Sequence, residues 1–247
     1  MQIKKSVTNM DFETERSFSR MAYGHEMWVE GLKLKDGMFT LYGLYGHKLV
    51  PDKPMPTDYA NPVLYDDDKR VEDPYRDIVN EPRGWEFEFK DKGAKVYTFY
   101  IDSCSTWVTD DEGWHRGSKR DFDKVSYSGS FHMTAKRIIS RNGKDVGDVR
   151  HAELELVPNE ATLYKGKKAE IEVSYNGKPL GNHKVVVYCR EWQDLQTMKT
   201  DPDGKLRFDV TDKGTYIFIT KYTDDSLSSS DDFDETVFSS TLSMEAE

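Results

Sequence analysis

A chain of 247 residues holds one large domain or two small ones with a real core, and 14 Tyr, 12 Phe and 5 Trp supply too much ring surface to stay unpacked. Its 45 acidic against 35 basic residues give a net charge of −10, which argues against nucleic acid, whose binding draws its affinity from Lys and Arg. No stretch approaches the ~18 apolar residues of a membrane span, so no direct membrane insertion is expected.

The first ten residues, Met1 to Met10, carry Lys4 and Lys5 with no apolar run behind them. The chain as given therefore reads as soluble, and an export signal would have to have been removed. Residues 1–21 read as an N-terminal arm, within which 11–22 fit a short helix or an irregular segment equally. Between about residues 50 and 84 lie several prolines and the cluster Asp66-Asp67-Asp68-Lys69-Arg70, which read as a long ordered loop. From there onward the pattern is period two. Trp85, Phe87 and Phe89 alternate with glutamates, and Val96 to Ile101 is a β-branched and aromatic run of the kind found in interior strands. Leu154-Glu-Leu156, Ile171-Glu-Val173-Ser-Tyr175 and Leu206-Arg-Phe208-Asp-Val210 alternate strictly, while Val185 to Cys189 and Tyr216 to Thr220 repeat the interior pattern. Turn chemistry at Asp36-Gly37, Asn142-Gly143, Asn176-Gly177, Asp203-Gly204 and Lys213-Gly214 separates these runs at sandwich-like spacing.

The polar segment Ser140 to Asp148 marks a boundary, and about seven strand signals follow it up to residue 222. Asp224 to Asp232 reads as a flexible loop, after which Thr236 to Met244 has the content of a closing strand. The expected architecture is all-β: the arm at 1–21, a β-sandwich at 22–148 and an immunoglobulin-like or prealbumin-like β-sandwich at 149–247.

The second block runs Leu156-Val-Pro-Asn, Leu163-Tyr-Lys-Gly166, Tyr175-Asn-Gly-Lys-Pro-Leu180, Thr200-Asp-Pro-Asp-Gly204 and Gly214-Thr-Tyr216. The first carries Gly24-His25-Glu-Met-Trp28, Tyr45-Gly-His47, Gly84-Trp85, Gly93 to Tyr100 and Phe131-His132-Met-Thr-Ala-Lys136. Over residues 22–244 this order resembles a family of periplasmic proteins associated with nickel and cobalt uptake. Gly24 and Lys48 depart from the alanine and proline common there. The resemblance implies a nickel or cobalt site in the first block, with zinc or copper as further possibilities, a periplasmic or extracellular location, and docking to a membrane transporter subunit.

Six histidines are available for such a site. His25 and His47 each follow a glycine beside an aromatic run, and His132 lies in an alternating run, so strands can bring these three to one ion. His115 reads as a surface-loop residue or an auxiliary ligand, and His151 and His183 read as exposed. Met27 shares the direction of His25 but reads as core. Asp66 to Asp68 and Asp231-Asp232 lack the calcium-loop pattern and read as solvated loops.

Cys104 and Cys189 leave one disulfide or two free thiols open, a buried thiol being the commoner case. Cys104 with His132 would make a nucleophile and base only if the fold placed them within hydrogen-bond distance. G-x-S-x-G, H-E-x-x-H and phosphate-binding loops are missing, so the chain is expected not to be an enzyme. The alternative to metal binding is a secreted carbohydrate- or protein-binding module using Trp28, Tyr42, Tyr45, Trp85, Trp107 and Trp114.

Overall fold

The computed structural model describes residues 25–47, 49–51, 60–191 and 194–247; the arm at 1–21 lies outside them. In chain order the strands are β1 (Glu26–Lys35), β2 (Met38–His47), β3 (Val50–Pro51), β4 (Asn61–Asp66), β5 (Lys69–Arg70), β6 (Tyr75–Asn80), β7 (Arg83–Lys90), β8 (Val96–Asp110) and β9 (Gly113–Arg116). They continue as β10 (Tyr127–Ser140), β11 (Leu154–Pro158), β12 (Lys168–Tyr175), β13 (Lys178–Pro179), β14 (Lys184–Cys189), β15 (Asp194–Lys199), β16 (Lys205–Asp209), β17 (Gly214–Asp224) and β18 (Glu235–Ala246). The protein is all-β, as its periodicity demands. Glycines of the expected turns adopt positive φ: Gly37 (φ 75) closes the β1–β2 hairpin and Gly177 (φ 72) the β12–β13 hairpin.

Three sheets form. Strands β1-β2-β7-β6, with β3 on β2, make one; β11-β12-β13, with β16 on β12, make another; between them runs a nine-stranded sheet ordered β15-β14-β17-β18-β10-β8-β4-β5, with β9 on β8. The central sheet takes strands from both halves of the sequence. Its seam is the parallel pairing of β10 with β18, in register from Gly129 opposite Glu235 to Arg137 opposite Ser243. Parallel neighbours need a long crossover, and β11 to β17 are that crossover.

Alternation along the seam strands sorts the cores. Ala135 and Ile139 of β10 join Met27, Val29, Leu41, Trp85, Phe87 and Phe99 under the first sheet. Phe238, Leu242 and Met244 of β18 join Leu156, Ile171, Val173, Leu206 and Phe208 under the other. The first part of β1, Glu26–Val29, is buried on both faces, because Trp28, Leu44 and Leu49 pack on Val186, Ile217 and Ile219 of the second half, while Gly31–Lys35 are exposed. Arg190 ties this contact, bonding the Glu30 carboxylate and donating to the Leu49 carbonyl at 3.1 Å.

Under the seam lies an ion pair. Lys136 Nζ stands 2.9 Å from Glu155 Oε2 with both side chains under 5% exposed (2% and 4%). Glu155 Oε1 accepts from the Tyr100 hydroxyl and from the backbone N–H groups of His151 and Ala152. Burial pulls the Lys136 ammonium below its ordinary range and the Glu155 carboxylate opposes it. Next to it, Arg137 reaches Glu245 at 3.2 Å, but its Nε and Nη1 are buried without an acceptor.

The structure corrects several expectations. The described residues of the 50–84 segment are mostly strand, and Pro62 fits because it faces Ile101 on one side of β4, while β5 covers the other side only at Tyr65 and Asp66; residues 52–59 lie outside the described residues. Asp67 and Asp68, at φ 46 and 68, form the tight turn between β4 and β5. The segment after Asp224 is tied down. Asp232 accepts from Ser118, Ser229 and Arg120, which hold its carboxyl down at about 2. His151 and His183 are half-buried rather than exposed. Nε2 of His151 meets the Asp102 carboxylate and Nδ1 lies 3.0 Å from the Tyr65 hydroxyl, whereas Nε2 of His183 is buried with no hydrogen-bond partner. Cys189 is buried, Cys104 is exposed, and both are free thiols.

Two outcomes are expected on stability. Lys136→Met leaves a buried carboxylate unpaired and should cost about 3 kcal/mol or more in chemical denaturation, while Arg137→Met, which removes two orphaned donors and leaves only the part-exposed Glu245, should stay within about 1 kcal/mol of the parent or exceed it; equal losses would refute this division. The hydrogen bond to Asp102 raises the pKa of His151 against the opposing effect of burial, so the pair stabilises the fold in acid and that contribution is lost as pH rises through the raised value. Comparing Tm at pH 6 and 8.5 should show a larger drop in the parent than in His151→Ala, and an equal drop would reject the linkage.

Candidate functional site

The β1–β2 hairpin brings two of the three candidate imidazoles together. Its register pairs Glu26 with Gly46 and Met27 with Tyr45, so His25 and His47 occupy the next rung, at the end away from the Asp36-Gly37 turn. Their ring centroids are 4.0 Å apart at 45°, and the His25 ring also stacks on Tyr45 at 4.3 Å and 4°. His25 is half-buried and His47 exposed. Two imidazoles binding one ion through nitrogens at ~2.0–2.1 Å bring their rings to about 4.5–5 Å, so this 4.0 Å pair would open by about 0.5–1 Å to share an ion. Met27, sharing the side of His25, is core: it packs with Leu41 and Phe87, and its carbonyl accepts from Thr241 at 2.8 Å.

His132 is held elsewhere. Met133 and Ala135 of β10 face the first sheet, so His132 turns to the opposite side, where its ring meets Phe238 at 5.0 Å. Its Nε2 lies 3.4 Å from Cys104 Sγ and 3.2 Å from Ser130 Oγ. Among the described residues, no three His, Cys, Asp or Glu side chains are grouped to hold a metal ion. His115 sits on β9, its Nε2 3.0 Å from Asp110 Oδ1 and its ring stacked on Phe122.

The Cys104–His132 contact is thus within hydrogen-bond reach, but its electrostatics run against a nucleophile. Burial pushes the thiol up, partly countered by a hydrogen bond with Ser130, and burial pushes the imidazole down. That favours a neutral pair over the thiolate and imidazolium of an activated cysteine.

The aromatic set divides. Trp28 and Trp85 are core, fully buried, and Tyr42 packs against the cluster containing Trp28. Trp107 and Trp114 stay at the surface on one face of β8 and β9. The register adds Tyr127 and Phe131 to that face, with Trp114 ring to ring at 5.8 and 6.3 Å. Sequence reasoning missed these two because only the cross-strand register, Tyr127 opposite Thr109 opposite Trp114, shows the alignment. A separate cleft of about 440 Å³ lies between β4 and β7, lined by Leu64, Tyr75, Phe89 and Tyr97 with Asp66 and Glu88, and contains none of the tryptophans.

Among solved structures, the chain is similar to the FN1–FN3 domains of chicken CNTN1 at 12% identity and a TM-score of 0.23, covering 90% of this chain and 66% of that one. It is also similar to the N-terminal four Ig domains of Dscam1 isoform 4.4 at 11% identity and a TM-score of 0.21, covering 91% of this chain and 46% of that one. No curated protein matches. A family model covers residues 22–224, and the chain therefore belongs to the family described as a domain of unknown function, DUF4198.

Proposed function

We propose that the chain is a divalent transition-metal-binding protein that takes Ni²⁺ or Co²⁺ at His25 and His47 and serves an extracytoplasmic step of metal uptake. The observation that supports it is the cross-strand pairing of these two rings at the open end of a hairpin, next to the segment Glu26–Val29, which is packed from both sides. A rigid base holds the ligands, and the exposure of His47 lets an ion approach. Two imidazoles fill two coordination positions and leave the rest to water or a chelator, which suits an ion that must be handed on. The uptake role and the transporter partner rest on the sequence resemblance. By the Irving–Williams order such a site holds Cu²⁺ more tightly still, so the metal carried in the cell follows availability as well as affinity.

A second reading has its own observation: exposed Trp114 with half-buried Tyr127 and Phe131 edge-on to it and half-buried Trp107 on the same face, ring surface of the kind that takes the C–H face of a sugar.

Calorimetric titration of the untagged chain with Ni²⁺ and Co²⁺ should show stoichiometric binding tighter than millimolar. His47→Ala should weaken at least tenfold one component of this binding, and His132→Ala should leave that component intact. Acidification should weaken it too, because protons compete with metal for ring nitrogens. Absence of such binding in the parent, or an unchanged His47→Ala titration, would overturn the metal reading. On the second reading, a screen of soluble oligosaccharides should quench tryptophan fluorescence in the parent and not in Trp114→Ala, and a flat parent response removes it.

A further inference from the structure

The register of β8 and β10 sets Cys104 opposite His132 on one face of the central sheet, with Ser130 two residues along the same strand and on the same side. Cys104 Sγ and His132 Nε2 are 3.4 Å apart, and Ser130 Oγ is 3.2 Å from the same nitrogen. Two ligands of one tetrahedral ion, sulfur at ~2.3 Å and nitrogen at ~2.0–2.1 Å, are themselves about 3.5 Å apart. The pair therefore holds the spacing of a chelate. Phe238 backs the imidazole at 5.0 Å and helps fix the ring with Nε2 toward the thiol. The Cys104 residue is exposed, although its thiol is partly desolvated by its neighbours, so an ion approaches the sulfur from the solvent side of the sheet. The Glu153 carboxylate lies near enough to bear electrostatically on both residues, and its charge favours a cation there.

We propose that Cys104 and His132 form a second metal site, separate from the His25–His47 pair, that takes a thiophilic divalent cation of the Zn²⁺ class through Sγ and Nε2. On binding, the Cys104 S–H bond breaks, the metal–sulfur bond forms, and the proton passes to solvent. The imidazole supplies a lone pair and undergoes no change of oxidation state. Water fills the remaining positions, with Ser130 Oγ placed to hydrogen-bond the thiolate or a bound water. A sulfur ligand separates this site from the all-nitrogen pair in chemistry: thiolate selects Zn²⁺ and softer ions, imidazole alone does not.

The test uses Co²⁺ as a spectroscopic probe on the full chain, kept reduced under anaerobic conditions. A near-ultraviolet thiolate-to-cobalt charge-transfer band should grow to saturation and be bleached by added Zn²⁺. Cys104→Ser should abolish it. His132→Ala should weaken the Co²⁺ and Zn²⁺ affinity read from the band at least tenfold. Cys189→Ser, checked for folding by circular dichroism, and His47→Ala should both leave it unchanged. Because imidazole ligands alone give no such band, occupancy of the His25–His47 pair cannot mimic it, and either site can fail without the other. A parent with no band, or a band that survives in Cys104→Ser, overturns the proposal; so does loss of the band in His47→Ala, which would mean a single shared site.

Discussion

The parallel pairing of β10 with β18 is the constraint on which the rest of the structure depends. Among the described residues every other strand pair is antiparallel and joins residues at most 52 positions apart (Met38 with Lys90), but this one joins residues about a hundred positions apart and returns the chain through the entire second half. One nine-stranded sheet then passes through both halves, so no hinge separates them in the way two sandwiches on a linker would allow. Closing so distant a pair is entropically costly, and the interior beneath it offsets that cost with apolar burial on both faces. The Lys136–Glu155 pair sits where the two halves meet. Four donors converge on the Glu155 carboxylate, from β8, from β10 and from the segment entering β11. A displaced seam would leave that carboxylate buried without them, so the pair opposes other registers.

The same continuity fixes the candidate ligands. Because β1 touches the second half through Trp28 as well as its own sheet through Met27 and Val29, the open end of the β1–β2 hairpin is supported from both sides. Alternation then allots the histidines to different faces. A residue of β10 shares a core with the first sheet if it is Met133 or Ala135, and it cannot if it is His132. Two cross-strand pairs, His25 with His47 and Cys104 with His132, take the place of one three-histidine cluster.

Much of this was legible in the sequence, because local chemistry sets it. Period two gave the strands, and Asp36-Gly37 or Asn176-Gly177 had the residues that positive φ requires, so the hairpins followed. The 50–84 segment defeated the same reasoning. Proline there signals loop by composition, yet Pro62 needs no partner on the outer edge of β4, and that edge exists only once the sheet order is known. The acidic cluster does make an exposed turn at Asp67 and Asp68, but the strands that the turn joins carried no signal of their own. His151 and His183 show the limit from the other side: isolated polar residues carry no period, and their burial comes from distant elements such as Asp102 and Tyr65. The parallel return of β18 left no trace in its own residues, which read as a closing strand without saying what it closes on.

Cross-strand pairing of this kind makes ligand sets that are rigid in one direction and open in the other. Neighbouring strands fix the distance between two opposed side chains to within the play of their rotamers, while the solvent side of the sheet supplies nothing further unless a loop folds over it. A two-ligand site on such a surface exchanges its ion more readily than a closed four-ligand site, since fewer protein bonds must break for release. On the proposed readings, an all-nitrogen pair and a sulfur–nitrogen pair on one scaffold would divide ions by softness rather than by cavity size. The two pairs are set apart by the fold itself, because one lies at the end of the β1–β2 hairpin and the other on the central sheet between β8 and β10. A change in one pair therefore reaches the other only through the backbone of the shared fold.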